Sequence, residues 1–276
     1  MTGEKVTLTA EKETLLITLY ARAGESRLPD SLLHDEYAAR AVERVDYDFS
    51  RLKVDRNMMI GVSLRAHIFD AWTREFLARH PQATVLHLGC GLDSRVFRVD
   101  PGPGVRWFDV DYPEVIALRR RLYPARNDYT MIAASVTDPS WLESVPADRP
   151  TLIVAEGLFM YVGVEAVPWL IERLVTRFPG GELAFDGFSK LGARMVLRHQ
   201  AVKATGASMH WTIEDPHELE RQIPRLELLT DYRAYDPRGY DPKQMARMSW
   251  AARAAIKLFA AIPRLGKISR LLRYRY

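Results

Sequence analysis

Apolar residues recur at helical spacing through the N-terminal part of the chain. They form one group near the start and another just before Pro81: Leu15, Leu16, Leu19 and Tyr20, then Ile68, Trp72, Phe76 and Leu77. Residues three or four positions apart share one face of a helix, so both groups predict amphipathic helices within residues 9–82. Pro81 is expected to end the last of these helices.

Beyond Pro81 the pattern changes to short apolar runs that alternate with helical segments. The predicted strands are 84–88, 105–110, 129–133, 151–155 and 182–187, and the helices between them are 93–98, 113–122, 139–145 and 164–177. Alternation of this kind is typical of a parallel sheet that carries helices on both faces.

The C-terminal part breaks this rhythm. We predict a helix over 190–203, a strand over 226–232, a helix over 241–260 and a strand over 268–276. The helix over 241–260 should turn these side chains inward: Met245, Met248, Ala252 and Ile256. The chain is therefore predicted to be an α/β protein with an N-terminal helical cap (1–82). Its core (83–276) should have a Rossmann-like, mostly parallel sheet with an antiparallel final strand.

Composition limits the class of protein. A chain of 276 residues with 47% hydrophobic and 27% charged residues suits one globular domain, or a core with an appended cap. The single cysteine, Cys90, excludes an internal disulfide framework and a multi-cysteine metal site. Because the N-terminus is polar and no apolar stretch approaches ~20 residues, we expect a cytoplasmic protein.

The positive net charge of +4 comes from one segment. Between Lys243 and Tyr276 there are many lysines and arginines and no acidic residue. We favour a structural explanation, in which a last strand carries outward-facing arginines, over a polyanion-binding tail. Accordingly we expect no nucleic-acid partner and no stable membrane association.

A glycine turn follows the first predicted strand. Gly89 and Gly91 lie between an apolar run and a segment able to start a helix, an arrangement that lets backbone approach a ligand closely. Twenty residues past Gly91, the second predicted strand leads to Asp111. An acidic residue at that offset is typical of a ligand to the hydroxyls of an adenosine ribose.

The turn departs from the dinucleotide fingerprint. Ser94 occupies the place of the third glycine, and Asp93 puts negative charge where a phosphate would lie. The expected ligand therefore carries adenosine without a diphosphate. S-adenosylmethionine fits this description, with S-adenosylhomocysteine as its product.

Further acidic residues lie near the carboxyl ends of other strands. Asp109 and Asp111 share one strand end; we expect them to face opposite sides, with Asp111 as the ribose ligand and Asp109 structural. Glu156 ends a buried apolar run, where a carboxylate needs a cation or a hydrogen-bond donor. Either the ligand or a salt bridge to a local arginine such as Arg95 would satisfy it.

Four blocks of the sequence resemble one family, the leucine carboxyl methyltransferases, and within it the bacterial branch of tetracenomycin polyketide O-methyltransferases. The blocks are Thr14–Arg27, Leu88–Arg95, Trp107–Val115 and Ala155–Tyr161. The similarity extends over about residues 13–235. It implies a class I methyltransferase fold and methyl transfer from S-adenosylmethionine to oxygen, commonly that of a carboxylate, without a metal.

The resemblance also implies roles for individual residues. Arg65 matches the arginine that pairs with the methionine carboxylate, a task suited to a planar guanidinium. Gly89 and Gly91 match the glycine turn, Asp111 the ribose ligand, and Glu156 the acid of the Glu-Gly block. Ser135 and Val136 stand where family members often have Asp-Leu near the adenine.

The acceptor is less well specified. A carboxylate is ionised at neutral pH and needs no general base, whereas a phenol would need one. His210 is the preferred base candidate, with the alternative of a loop histidine packed on Trp211. The candidates to bind the acceptor are Tyr20, Arg22, Tyr161 and Trp211. Alternatively, Tyr20 and Arg22 pair with acidic residues of the cap, and Tyr161 belongs to the pocket wall or to the core.

Several functions are compatible with these observations. We favour an O-methyltransferase that acts on a carboxylate of a small metabolite, polyketide or peptide C-terminus, as a monomer or homodimer. The alternative is a phenol or hydroxyl O-methyltransferase of secondary metabolism. A polyanion-binding protein with a vestigial nucleotide fold, and a nicotinamide-dependent oxidoreductase, are further alternatives from other classes.

Overall fold

The computed structural model describes residues 4–5, 13–262 and 265–276. The N-terminal part is helical, as predicted, with α1 (Thr14–Ser26), α2 (Glu36–Arg44) and α3 (Arg56–Arg79). Residues 9–12 of the predicted helical region lie outside the described residues. Two short parallel strands, β1 (Glu4–Lys5) and β2 (Val45–Asp46), were not predicted.

In the described residues the central sheet has seven strands, of which six run in the same direction and one runs opposite to them. They are β3 (Thr84–Leu88), β4 (Arg106–Asp111), β5 (Tyr129–Ala133), β6 (Thr151–Ala155), β7 (Gly181–Phe188), β8 (Glu227–Arg233) and β9 (Ser269–Arg275). Their spatial order is β5-β4-β3-β6-β7-β9-β8, and β9 runs antiparallel to both of its neighbours. This arrangement confirms the predicted α/β fold with an antiparallel final strand.

In the part of the chain that the structure describes, eight further α-helices follow the cap. They are α4 (Arg95–Val99), α5 (Pro113–Leu122), α6 (Ala166–Arg177), α7 (Lys190–Arg198), α8 (Gln200–Thr205), α9 (His217–Gln222), α10 (Pro242–Met245) and α11 (Trp250–Ala261). Segments Pro139–Ser144 and Phe159–Tyr161 are 3-10 helices. The first of these corrects the predicted α-helix over 139–145, and α9 was missed.

Two predicted helices are each broken into two. The helix predicted over 190–203 ends at His199, whose backbone leaves the helical region and whose ring nitrogen Nδ1 accepts a hydrogen bond from the Ala201 N–H. The helix predicted over 241–260 restarts at Ser249, whose hydroxyl accepts from the Ala252 N–H. In both places a side chain caps a new helix start. The four side chains predicted to face inward from 241–260 do pack against the core.

Apolar clusters cover both faces of the sheet. On one face α3 packs directly on the strands through Leu64, Phe69 and Phe76. On the other face α6 packs through Leu170 and Leu174. Helices α1 and α2 form a third cluster that reaches α5. As a result, α1 and α3 both lie beside the carboxyl ends of the strands.

The arginines of β9 correct one expectation. Arg270 and Arg273 are buried because other segments cover the sheet faces to which they point: Arg273 lies over the Trp72 ring of α3, and Arg270 donates to the Glu214 carbonyl. Arg275, near the end of β9, is 59% exposed, as expected.

Arg273 donates to Glu182 and Glu75 at 2.6 and 2.7 Å, and Arg270 pairs with Asp231. Part of the basic C-terminal charge is thus internal ion pairing. None of the described helices is both long and apolar enough to cross a membrane.

Candidate active site

A cavity of about 300 Å³ opens at the carboxyl ends of the parallel strands. It lies where the strand order reverses, since β3 has β4 on one side and β6 on the other. In open α/β sheets this reversal is where ligands bind. The residues predicted to bind the cofactor all line the cavity: Arg65, Gly89, Gly91, Asp111, Ser135, Val136 and Glu156.

The glycine turn forms the floor of the cavity. Gly89 and Gly91 have φ values of +58° and +48°, a conformation that residues with a Cβ seldom adopt. A Cβ on Gly89 would lie 2.7 Å from Cδ1 of Leu158, and one on Gly91 would lie 3.2 Å from Cβ of Leu15. Both positions therefore need glycine for the turn and for close packing.

Asp111 ends β4 and faces this turn. Its carboxylate accepts hydrogen bonds of 2.7 Å from the backbone N–H groups of Gly91 and Tyr112. Burial raises the pKa of Asp111 above its usual value, although these two N–H groups oppose the shift. Asp111 thus holds the glycine turn in place and presents an acceptor to the cavity.

Asp109 has a different role, which corrects one argument from the sequence. Positions two apart in a strand share a face, so Asp109 and Asp111 do not point to opposite sides. They differ in depth: Asp109 is fully buried and pairs with Arg119, Tyr129 and Trp107. Burial alone would raise the pKa of Asp109, but Arg119, His87 and Tyr129 lower it to about 2.

Arg65 reaches the cavity from α3. Its Nε donates to Glu156 at 2.9 Å and its Nη1 to Asp186 at 2.8 Å. Glu156 also accepts from Arg95, so the salt bridge expected as one alternative for Glu156 is present. The Arg65 side chain remains 20% exposed, and its Nη2 lies near Gly157.

Behind the cavity lies a network of buried charges. Arg95 and Arg98 both donate to Asp70, and both pair with Asp93. Burial would raise the pKa of Asp93, but Arg95 and Arg98 hold it well below its usual range. Arg98 also donates to Asp35, which caps α2, so the network joins the N-terminal helices to the sheet.

His87 is a core residue that touches the cavity. Its Nε2 lies 3.2 Å from the Nη1 of Arg95, and its Nδ1 lies 3.3 Å from Asp109. Because a guanidinium only donates, Nε2 must be the acceptor, and the proton of a neutral His87 is then on Nδ1. Nε2 is therefore occupied by Arg95, whereas Nδ1 is buried near Asp109 without a hydrogen bond of its own. Cys90 also lines the cavity, and burial raises its thiol pKa well above its usual value.

The residues predicted for the acceptor divide into two groups. Arg22 and Tyr161 line the cavity, whereas Tyr20, Trp211 and His210 do not. Tyr20 stacks on Phe49 at 5.0 Å, and Trp211 is buried against Phe159 and Phe185. His210 has an exposed side chain, and its backbone N–H donates to the Met160 carbonyl.

Of the α1 residues that line the cavity, the sequence identified only Arg22. Thr14, Thr18 and Arg22 line the cavity at a spacing of four residues, and Leu15 meets the glycine turn. The helical period is visible in the sequence, but which face is turned to the cavity is set by packing. Asp186 was also missed as a partner of Arg65, since 121 residues separate them.

These residues fit S-adenosylmethionine. The glycine turn leaves backbone space for a ligand, Asp111 offers an acceptor for ribose hydroxyls, and Arg65 and Glu156 offer opposite charges to an amino-acid group. Among the described residues, no cluster of histidine, cysteine or acidic side chains could hold a metal ion.

Comparison with known proteins agrees with this geometry. A profile of the leucine carboxyl methyltransferase family matches residues 15–175, more than half of the chain. The chain belongs to the leucine carboxyl methyltransferase family. This membership confirms the family that the four sequence blocks indicated, and the chain is a methyltransferase.

Two relatives and one solved structure illustrate the similarity. Tetracenomycin polyketide synthesis O-methyltransferase TcmP of Streptomyces glaucescens is 42% identical, covering 99% of this chain and 100% of its own. The S-adenosyl-L-methionine-dependent methyltransferase dpfgK of Gibberella zeae is 36% identical over 81% of this chain and 82% of its own length. The plantazolicin methyltransferase BamL superposes with a TM-score of 0.51 at 11% identity, covering 96% and 97%, a likeness of fold alone.

Proposed function

We propose that this member of the leucine carboxyl methyltransferase family transfers a methyl group from S-adenosylmethionine to an oxygen of a small acidic acceptor, preferably a carboxylate. One observation carries the proposal. A single cavity brings together the glycine turn, Asp111, and the Arg65–Glu156 pair at the reversal of strand order. The names of two relatives, an O-methyltransferase of polyketide synthesis and an S-adenosyl-L-methionine-dependent methyltransferase, support it.

Each cofactor-binding residue is assigned a task. Asp111 would accept hydrogen bonds from the ribose hydroxyls, and Ser135 and Val136 would lie beside the adenine. Glu156 would face the methionine ammonium, and the Nη2 of Arg65 the methionine carboxylate. When bound, the cofactor supplies a methyl carbon activated by the adjacent sulfonium.

The protein's own contribution is alignment and exclusion of water. Leu15, Val115, Leu158 and Val162 form an apolar wall around the cavity. Such a wall favours displacement between aligned reactants over reaction with water. Tyr161 lines the cavity and is partly exposed, and we assign it to the acceptor side.

A carboxylate acceptor is favoured because the cavity offers no available histidine base. His87 is the one imidazole among the described lining residues; its Nε2 already accepts from Arg95, and its Nδ1, which carries the proton of the neutral ring, lies 3.3 Å from Asp109. A carboxylate attacks in its ionised form and requires no base, whereas a phenol would require one. The name of the polyketide-synthesis relative favours a polyketide acid as the acceptor.

The test is transfer of isotopically labelled methyl from S-adenosylmethionine to matched pairs of polyketide carboxylic acids and phenols. Methyl esters release their label as methanol in alkali, whereas methyl ethers keep it. We expect base-labile label that requires Asp111 and survives His210→Ala. Base-stable label that is lost in His210→Ala would instead support the phenol alternative. No transfer to either class, together with no S-adenosylhomocysteine binding, would contradict the proposal.

A further inference from the structure

Arg22 stands apart from the other arginines around the cavity. Five arginines line it or lie behind it: Arg22, Arg65, Arg95, Arg98 and Arg119. Within the described residues, all except Arg22 donate a hydrogen bond to at least one carboxylate. Arg22 donates from Nη2 to the Leu92 carbonyl at 3.1 Å, and its Nε has no hydrogen-bond partner.

Asp35 does not satisfy Arg22. The Nε of Arg22 lies 3.7 Å from Oδ2 of Asp35, beyond hydrogen-bond distance. That oxygen accepts from Arg98 at 2.8 Å, and the other oxygen accepts from Ser94 and from the Ala38 N–H. Because a buried cation normally has a hydrogen-bonded counter-charge, Arg22 is short of an anion.

The position of Arg22 identifies which end of the cavity it serves. Thr14, Thr18 and Arg22 form one stripe of α1, in which the two threonines are partly exposed and Arg22 is only 2% exposed. The stripe therefore runs from the rim of the cavity to its depth. An acceptor entering from solvent meets the rim first, so the deep end suits the cofactor.

Arg22 and Arg65 both influence one acidic group of the cavity, Glu156. Burial raises the pKa of Glu156, but Arg65, Arg95 and, to a smaller extent, Arg22 lower it. Arg22 likewise contributes to the lowered pKa of Asp93, after burial, Arg95 and Arg98. Arg22 and Arg65 thus approach one region of the cavity from two different helices.

We propose that Arg22 binds the methionine carboxylate of the cofactor and shares this anion with Arg65. The inference rests on the proposed function and changes the role that the sequence suggests for Arg22, from acceptor binding to cofactor binding. Arg65 already gives two of its nitrogens to Glu156 and Asp186. Arg22 supplies a guanidinium that no protein carboxylate neutralises by a hydrogen bond.

The test compares two ligands that differ only in the carboxylate. Calorimetry would measure the affinity of S-adenosylhomocysteine and of its decarboxylated analogue, 5′-S-(3-aminopropyl)thioadenosine. We expect Arg22→Gln to weaken S-adenosylhomocysteine binding at least tenfold, a loss typical of one charge-assisted hydrogen bond, and to change analogue binding less than about twofold. Arg27→Gln is the matched control, because Arg27 ends the same helix at the surface and pairs with Glu43.

Each other outcome has a distinct meaning. If wild-type protein fails to bind S-adenosylhomocysteine, the proposed function itself fails. If Arg22→Gln weakens both ligands equally, or neither, or raises only the KM of the acceptor, the role of Arg22 in carboxylate binding is refuted. Should Arg22→Gln not fold, Arg22→Lys is the second variant, because it keeps the charge but loses the planar guanidinium. It must weaken the binding of S-adenosylhomocysteine more than that of the analogue. Equal losses of affinity refute the proposal.

Discussion

Replacing Asp111 with asparagine separates the two tasks assigned to this residue. The carboxylate accepts one backbone N–H on each side, from Gly91 and from Tyr112, both at 2.7 Å. An amide has only one acceptor oxygen, so whichever way it turns, one of these N–H groups meets an NH₂ donor. A lost hydrogen bond to a charged group costs about 1.5–3 kcal/mol, and we expect unfolding free energy to fall by an amount in this range.

The same substitution removes charge from the proposed ribose site. We expect S-adenosylhomocysteine to bind Asp111→Asn at least tenfold more weakly, or about 1.4 kcal/mol. Calorimetry measures this loss, and urea unfolding measures the stability change separately. Asp100→Asn is the matched control, since Asp100 is exposed, pairs only with Arg126 at the surface, and has a left-handed backbone that asparagine tolerates.

The pH dependence provides an independent check. The pKa of Asp111 is raised by burial, so its carboxylate gains a proton at a higher pH than an ordinary aspartate does. The neutral acid is a weaker acceptor, and wild-type affinity for S-adenosylhomocysteine should fall as the pH is lowered through that pKa. Asp111→Asn should lack this step. Two results would refute the role of Asp111 as a ribose ligand: a variant that binds S-adenosylhomocysteine as tightly as wild type, or the same fall in affinity at low pH in both proteins.

Three further substitutions test other parts of the account. Gly89→Ala forces a Cβ into a left-handed position next to Leu158. Thermal unfolding should show a free energy of unfolding lower by about 1–2 kcal/mol or more, and cofactor binding should weaken. Asp70→Asn removes one of the buried counter-charges that Arg95 and Arg98 share, and urea unfolding should show a loss of about 1.5–3 kcal/mol; a change below about 0.5 kcal/mol would contradict the network. His210→Ala should retain methyl transfer to a carboxylate. A hundredfold fall in kcat would contradict this and would indicate that His210 acts as a general base.

Local signals in the sequence were sufficient for much of the site. The glycine turn, its preceding strand and Asp111 lie within about twenty-five residues, and their spacing reflects one strand–turn–helix–strand unit. Arg65 carries no such signal, because it lies in the middle of a helix and only the family resemblance identified it. Its partners Glu156 and Asp186 are 91 and 121 residues away, distances over which sequence pattern says nothing about contact.

The errors have equally local physical causes. The interruptions at His199 and Ser249 depend on side-chain caps that compete with continuous helix, and a helical period does not reveal them. Arg270 and Arg273 of β9 look solvated in sequence, but they are buried and their acidic partners come from distant parts of the chain. The surroundings of Arg22 could not be predicted either: its helix was predicted, but the lack of a carboxylate within hydrogen-bond distance emerges only from three-dimensional packing.

A crystal structure of the complex with S-adenosylhomocysteine tests the central claim most directly. The account predicts the ligand in the cavity at the ends of β3, β4 and β6, with its ribose hydroxyls within about 3.2 Å of the Asp111 carboxylate. Its amino-acid group should lie between Glu156 and the two guanidiniums of Arg22 and Arg65. A ligand bound elsewhere, or a cavity that stays empty at saturating concentration, would contradict it.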